Sequence, residues 1–167
     1  EDELTGILNR RAINKKLHEI AEAARTEEFF LTVYMLDIDN FKMYNDHWGH
    51  SDGDKCLISI AKAISSIAWS RNDIFGRYGG EEFVYIARTK DYDTAFELGE
   101  EIREEVEKLG LYYGDGKDKT PTTISIGGVI GSGEELSSVS RLLQMADDQL
   151  YISKRSGKNR VRLISLD

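Results

Sequence analysis

A single cysteine, Cys56, excludes an internal disulfide, so packing must hold the fold. No apolar run nears the ~20 residues needed to cross a bilayer. The longest, residues 29–36, is interrupted by Thr32. The first residues show no signal-peptide pattern. Fixed-period repeats and low-complexity tracts are also missing, which excludes solenoids, propellers and linker-like segments. Basic residues are in deficit, 22 Lys and Arg against 30 Asp and Glu, for a net charge of −8. That balance excludes a protein that coats nucleic acid by counterion release. It leaves room for a small anionic ligand, which needs only a few local cations and a metal.

The 167 residues are 40% hydrophobic and 31% charged, the composition of a globular domain. A chain of this length buries roughly 68–70% of its unfolded surface. One domain over residues 1–167 is therefore expected, and the abrupt opening on a motif suggests the C-terminal part of a longer protein. Residues 10–25 place Ile13, Leu17, Ile20, Ala21 and Ala24 on one helical face. Residues 29–36 read as a buried strand ending at Asp37-Ile38-Asp39. A second helical stripe over 52–68 contains Cys56, which reads as a buried structural thiol. Strand-like runs at 73–78 and 83–88 flank Gly79-Gly80-Glu81-Glu82, a hairpin signature. A helix over 93–109 carries Ala95, Leu98, Ile102, Val106 and Leu109 inside. There follow a surface loop over 110–119, a strand over 122–130, a helix over 137–154 and a strand over 160–166. Ser137 or Ser138 would cap that last helix. The pattern predicts an α/β (α+β) fold, a mixed sheet with helices packed on it.

Asp37 and Asp39 lie two apart at a strand end, which in a strand means one shared face. Such a pair forms a hard oxygen cluster suited to magnesium, or simply a solvated turn. Glu81 and Glu82 at a hairpin tip are ordinarily solvated too. Should the hairpin lie beside the Asp37 strand, three or four carboxylates converge, and cations must offset their repulsion. Asn40-Phe41-Lys42 would then offer backbone N–H groups and an ammonium to phosphate. Lys154 and Lys158 end the last helix, where they satisfy its dipole or reach a phosphate. The segment from 45 to 54, with Asn45, Asp46, His50, Asp52 and Asp54, reads as a polar loop punctuated by Gly49 and Gly53. His50 has no partner at zinc spacing. An amide plus a carboxylate can read guanine, whose N1–H and amine donate together.

These segments, in this order, resemble the GGDEF family of diguanylate cyclases. Asp2-Glu3-Leu4-Thr5-Gly6-Ile7-Leu8-Asn9-Arg10-Arg11 is similar to the family's opening signature. Asp37-Ile38-Asp39-Asn40-Phe41-Lys42, then Asn45-Asp46, Gly49-His50 and Gly53-Asp54, resemble its nucleotide-binding stretch. Arg77-Tyr78-Gly79-Gly80-Glu81-Glu82-Phe83 is similar to the signature loop in its Glu-Glu form. Ser125-Ile126-Gly127, Ala146-Asp147, Tyr151, Lys154, Gly157 and Asn159 resemble the C-terminal blocks. The resemblance implies a central, mostly antiparallel sheet of the nucleotidyl-cyclase or ferredoxin-like kind. It implies that Asp37, the Ile38 carbonyl and Glu81 hold two Mg²⁺, with Mn²⁺ able to substitute. Glu82 would add charge, and Glu81, with Glu82 and Lys42 beside it, would serve catalysis by helping to deprotonate the ribose 3′-hydroxyl. Asn45 and Asp54 would read guanine with His50 nearby, and Asn40, Phe41, Lys42, Lys154 and Lys158 would cradle the triphosphate. Lys158 stands where the family usually has arginine and loses the bidentate geometry.

The implied reaction joins two GTP molecules into cyclic di-GMP across a homodimer of domains, in the bacterial cytoplasm, under an upstream sensory domain. No nucleic acid or membrane contact is implied. The alternatives are a non-catalytic GTP or cyclic di-GMP receptor, which a degenerate signature loop would mark, and an adenylyl or guanylyl cyclase. One stretch departs from the family. Its product-inhibition site is Arg-x-x-Asp, and here Ser70-Arg71-Asn72-Asp73 places Ser70 at the arginine position, with Arg71 displaced by one. Glu101 takes the place of a supporting arginine. In extended chain Arg71 and Ser70 would face opposite ways, so feedback inhibition there is expected to be weak.

Overall fold

In the computed structural model, which describes residues 1–166, most of the apolar stripes become buried faces. The elements run α1 (Arg10–Glu27), β1 (Phe30–Ile38), α2 (Phe41–Trp48), α3 (His50–Arg71), β2 (Ile74–Gly79) and β3 (Glu82–Thr89). Then come α4 (Tyr92–Glu107), β4 (Tyr112–Tyr113), β5 (Thr120–Pro121), β6 (Ile124–Gly131), α5 (Val139–Arg155) and β7 (Val161–Ser165). The main sheet has five strands in the order β2-β3-β1-β6-β7. Only β6 and β7 run parallel; the other pairs are antiparallel. This is the mixed, mostly antiparallel sheet that the resemblance implied. No described helix is long and apolar enough to cross a membrane.

Helices cover both faces. Ile13 and Leu17 of α1 and Leu142 and Leu150 of α5 pack on Met35, Val84 and Val129. Ile60 and Ile64 of α3 and Ile102 of α4 pack on Leu36, Phe83 and Tyr85. Cys56 is buried as a structural thiol, and burial pushes it up to about 12, so it is inert near neutrality. The N-cap of α5 is Ser138, whose side chain accepts from the Arg141 N–H.

Several boundaries differ from the periodicity reading, among them the end of α3, which runs to Arg71, and the 110–119 stretch, which contains β4. The segment from 45 to 54 is not a loop but two helices meeting at Gly49. The Gly49 N–H closes α2 on the Asn45 carbonyl at 2.7 Å, and its own carbonyl accepts from Gly53 at 3.0 Å. A φ of 93° makes glycine suit this junction. Helix α2 buries only Tyr44, so it shows no apolar stripe. Helix α4 stops at Glu107, which leaves Leu109 exposed rather than inside.

Candidate functional site

The carboxylates meet at one end of the sheet. Register sets Glu82 directly opposite Asp37, and the Ile38 N–H donates to the Glu81 carbonyl at 3.3 Å. The hairpin tip therefore lies beside the end of β1, which meets the condition set for the carboxylates to converge. Burial pushes the Asp37 carboxyl above its ordinary range, Lys154 pulls it back, and Glu81 and Asp39 push it up again. Glu82 is raised by burial first, then by Asp37, Asp147 and Glu81.

Asp39 does not join them. It lies just past the end of β1, its N–H still pairing with the Thr123 carbonyl at 2.8 Å, and is only 2% exposed. It accepts from Thr123 Oγ1 (2.7 Å), Ser125 Oγ (2.6 Å), Lys154 Nζ (2.8 Å) and the Asn159 N–H (3.0 Å). Four donors saturate it, so Asp39 is an internal anchor rather than an open ligand, although it shares the Lys154 ammonium with Asp37, as the two-residue spacing implied. The hydroxyls come from Thr123, just before β6, and Ser125 within it. Their spacing was visible in the sequence, but its target was not.

Lys154 shows what the remaining oxygens can hold. Its Nζ lies 2.7 Å from Asp37 Oδ1, 3.2 Å from the Asp37 carbonyl and 3.1 Å from the Ile38 carbonyl. An ammonium thus stands in for a cation among hard oxygen donors. Among the described residues, no three His, Cys, Asp or Glu side chains form a metal cage by themselves. Magnesium does not require one, because it takes one or two carboxylates and completes its shell with water and phosphate. Asp37, the Ile38 carbonyl and Glu81 fit that habit.

The predicted phosphate ligands are partly assembled. Lys158 Nζ donates to Asn40 Oδ1 at 2.6 Å. Asn40 begins α2 in the left-handed region (φ 53°) without a side-chain cap, so its side chain leaves the first-turn N–H groups to others. Phe41 packs half-buried against the core. Lys42 stands apart, its side chain 89% exposed and paired with Asp46 at 3.1 Å. Asn45 is pressed on Gly53, where a Cβ would lie 1.7 Å from its Oδ1. That buried Oδ1 has no hydrogen-bond partner among the described residues. Asp54 follows Gly53, exposed, with exposed His50 one turn earlier.

Two supports escaped the sequence reading. Arg77 Nε donates to the Gly80 carbonyl at 2.9 Å, and its Nη1 reaches Asp2 at 3.2 Å, bracing the hairpin turn from the opening signature. Arg103 on α4 donates to Asn159 Oδ1 at 3.0 Å, holding the turn that caps Asp39. Their places in the quoted motifs were the only signal for Arg77 and Asn159; nothing local marked Arg103.

The 70–73 stretch is not extended. Helix α3 continues through Arg71, and a left-handed Asn72 (φ 59°) folds Arg71 back, so that Nε meets Asp73 Oδ2 at 2.7 Å. Tyr85 also donates to that oxygen, at 2.6 Å. Arg71 does therefore reach Asp73, through a helix end rather than the extended chain that was expected. Ser70 donates into its own helix, to the Ile67 carbonyl at 2.9 Å, and Glu101 is exposed on α4. Arg71 is held by Asp73 and Ser70 offers no guanidinium, so calorimetric titration with cyclic di-GMP in EDTA is expected to show binding weaker than about micromolar. Micromolar binding that vanishes in Asp73→Ala would contradict this.

The sequence profile of the family described as "Diguanylate cyclase, GGDEF domain" matches residues 1–160. The chain is 39% identical over 163 residues to the diguanylate cyclase DosC of Escherichia coli K12, covering 97% of this chain and 34% of that protein. It is 43% identical over 134 residues to diguanylate cyclase A of Treponema denticola, covering 80% of this chain and 35% of that protein. It thus spans about a third of these relatives' length. Among solved structures, the coiled coil and GGDEF domain of DgcB from Caulobacter crescentus in complex with c-di-GMP superimposes with a TM-score of 0.86. That match has 32% identity and covers 98% of this chain and 84% of that one. Diguanylate cyclase SiaD of Pseudomonas aeruginosa, in complex with its activator SiaC, gives 0.85 at 33% identity, covering 98% and 61%. With its signature hairpin set against the end of β1 and the family profile matched from residue 1 to residue 160, the chain belongs to the GGDEF-domain family of diguanylate cyclases.

Proposed function

We propose that this single domain condenses two GTP molecules into cyclic di-GMP and two pyrophosphates. The observation that carries the reading is the meeting of cation-binding oxygens with cations for phosphate. Asp37 Oδ1 and the Ile38 carbonyl face one point, held by the Lys154 ammonium, and Lys158 is tied to Asn40 at the start of α2. In this reading Asp37, the Ile38 carbonyl and Glu81 hold two Mg²⁺ ions, with Mn²⁺ as a substitute. Such ions polarise a phosphoryl oxygen and acidify a hydroxyl. Lys154, Lys158 and the first-turn N–H groups after Asn40 orient the triphosphate. Lys42 reaches it by leaving Asp46. In this reading Glu81, with Glu82 beside it, takes the proton of the 3′-hydroxyl.

Each 3′-oxygen forms a bond to the α-phosphorus of the other GTP, and the bond to the leaving pyrophosphate breaks. One domain supplies one GTP, so two must face each other. The intact Gly79-Gly80-Glu81-Glu82 tip favours catalysis over a receptor role. The reading places the domain in the cytoplasm beneath a sensory domain. Its test is concentration dependence. Turnover per domain should rise with domain concentration and become independent of it in a fusion that forces dimers. A dilute, strictly monomeric domain with full turnover would contradict it.

Asn45 and Asp54 are proposed to select guanine. A closed site rejects an analogue lacking a bonded donor by roughly 10⁴–10⁵-fold. Asp54 is exposed, so the expected preference for GTP over ATP is smaller, at least roughly 10²-fold. Asp54→Ser should erode it. Equal affinities for the two nucleotides in the unmutated domain would sink this assignment.

A further inference from the structure

Lys154 holds a position that a pure phosphate ligand would not need. Its ammonium does not point to solvent from the end of α5. It is three-quarters buried and contacts four oxygens: Asp37 Oδ1, Asp39 Oδ1 and the carbonyls of Asp37 and Ile38. Two of these, Asp37 Oδ1 and the Ile38 carbonyl, are the oxygens that the proposed function assigns to a divalent ion. Lys154 must leave them before they can bind one.

Its other partner is of a different kind. Asp39 is 2% exposed and tied by two hydroxyls and a backbone N–H, so it does not move with the ligand. The Ser153 hydroxyl, one residue earlier, donates to the Ile126 carbonyl at 2.9 Å and fixes α5 on β6. Asp39 is therefore a pivot, and Lys154 can swing about it without losing its only buried counter-charge. The lysine stem has the rotatable bonds for such a swing. Lys158, on Asn40 at 2.6 Å, marks the direction in which anionic oxygens would be found.

We propose that Lys154, pivoted on Asp39, is a built-in competitor for the divalent cation. It neutralises the Asp37 and Ile38 oxygens in the nucleotide-free domain, and a triphosphate draws it away, so that metal and nucleotide bind cooperatively. The inference rests on the metal reading above. Linkage makes it reciprocal: the factor by which nucleotide tightens metal equals the factor by which metal tightens nucleotide. The domain is thereby kept from holding a bare divalent ion among crowded carboxylates, and loads the ion together with the substrate.

The probe is Mn²⁺, measured by electron paramagnetic resonance of the free ion. Binding is measured without nucleotide and with 3′-deoxy-GTP, which lacks the attacking hydroxyl. Three proteins are compared: the unmutated domain, Lys154→Met, and Lys154→Met combined with Asp39→Asn. The double variant removes one positive and one negative charge, so the local charge sum is unchanged. It also leaves no buried carboxylate unpaired should the single variant fold poorly, which circular dichroism reports.

Nucleotide-free Mn²⁺ binding should tighten about tenfold in both variants, the worth of a lost charge-assisted contact. The ratio of affinities with and without nucleotide should shrink by about the same factor. Unchanged or weaker nucleotide-free binding in the double variant would overturn the competitor role, while leaving the metal assignment in place. Absence of Mn²⁺ binding in all three proteins, even with nucleotide, would remove the metal assignment itself and this inference with it.

Discussion

Glu81→Gln is expected to lower cyclic di-GMP formation by roughly 10³-fold or more while leaving the fold unchanged. Glu81 lies at the tip of the β2–β3 hairpin, where its main chain carries the structural contact: the Glu81 carbonyl accepts from the Ile38 N–H at 3.3 Å. Glutamine keeps that contact, the side-chain length and the half-buried position. It loses the charge, and with it an anionic ligand for the cation and an acceptor for the 3′-hydroxyl proton. The turn is held separately, by Arg77 on the Gly80 carbonyl at 2.9 Å. Stability should therefore stay within about 0.5 kcal/mol, as for surface changes that break no buried contact. Product formation and thermal melting, measured on the same preparation, check both halves. Full turnover in a folded variant would remove Glu81 from the site.

Gly127→Ala should give the largest loss of stability from a single methyl group. At Gly127, α5 crosses β6 in backbone contact. A Cβ there would lie 1.9 Å from the Leu150 nitrogen and 2.5 Å from the Ala146 carbonyl oxygen. Backbone atoms within a helix cannot rotate away, so the helix must lift off the sheet. Overpacking of this severity costs about 3 kcal/mol or more, or roughly 6 °C or more of melting temperature for a domain of this size. Gly128 is the control. Its Cβ would meet Leu163 Cδ1 at 3.0 Å and the ring of Tyr34 at 3.2 Å, with the Val33 carbonyl also at 3.2 Å. Side chains can give way more easily, so Gly128→Ala should cost less. Urea midpoints for the two variants decide it. Equal midpoints, or an unshifted Gly127→Ala, would mean that α5 does not ride on β6 this closely. The same substitution should also impair nucleotide binding, because α5 carries Lys154.

What could be read from the sequence was local and periodic. The β2–β3 hairpin followed from Gly79-Gly80 between alternating apolar runs. Its place beside Asp37 stayed a condition in the sequence, because only the strand pairing supplies it. Asp39 was misread because its environment is set from far along the chain: Thr123 and Ser125 lie 84 and 86 residues away. A rule about alternating faces places Asp39 on the side of Asp37 but cannot know that distant donors fill it. Helix α2 was missed for the opposite reason, since eight residues burying only Tyr44 carry no apolar stripe. The 70–73 stretch was read as extended because the helix was ended too soon. Asn72 was a usable signal, as asparagine often takes the left-handed position that ends a helix. The convergence of Lys154 on Asp37 combines both limits: the sequence gives the type of each residue, and only packing of α5 on β6 brings them together.

The central claim is that this domain joins two GTP molecules through their ribose 3′-oxygens. The most direct measurement is the mass of what forms when the domain, concentrated or held as a dimeric fusion, is incubated with GTP and Mg²⁺. Cyclic di-GMP together with two equivalents of pyrophosphate is the predicted result. GTP left intact by the dimeric fusion, or converted to GDP or to cyclic GMP, would contradict the account.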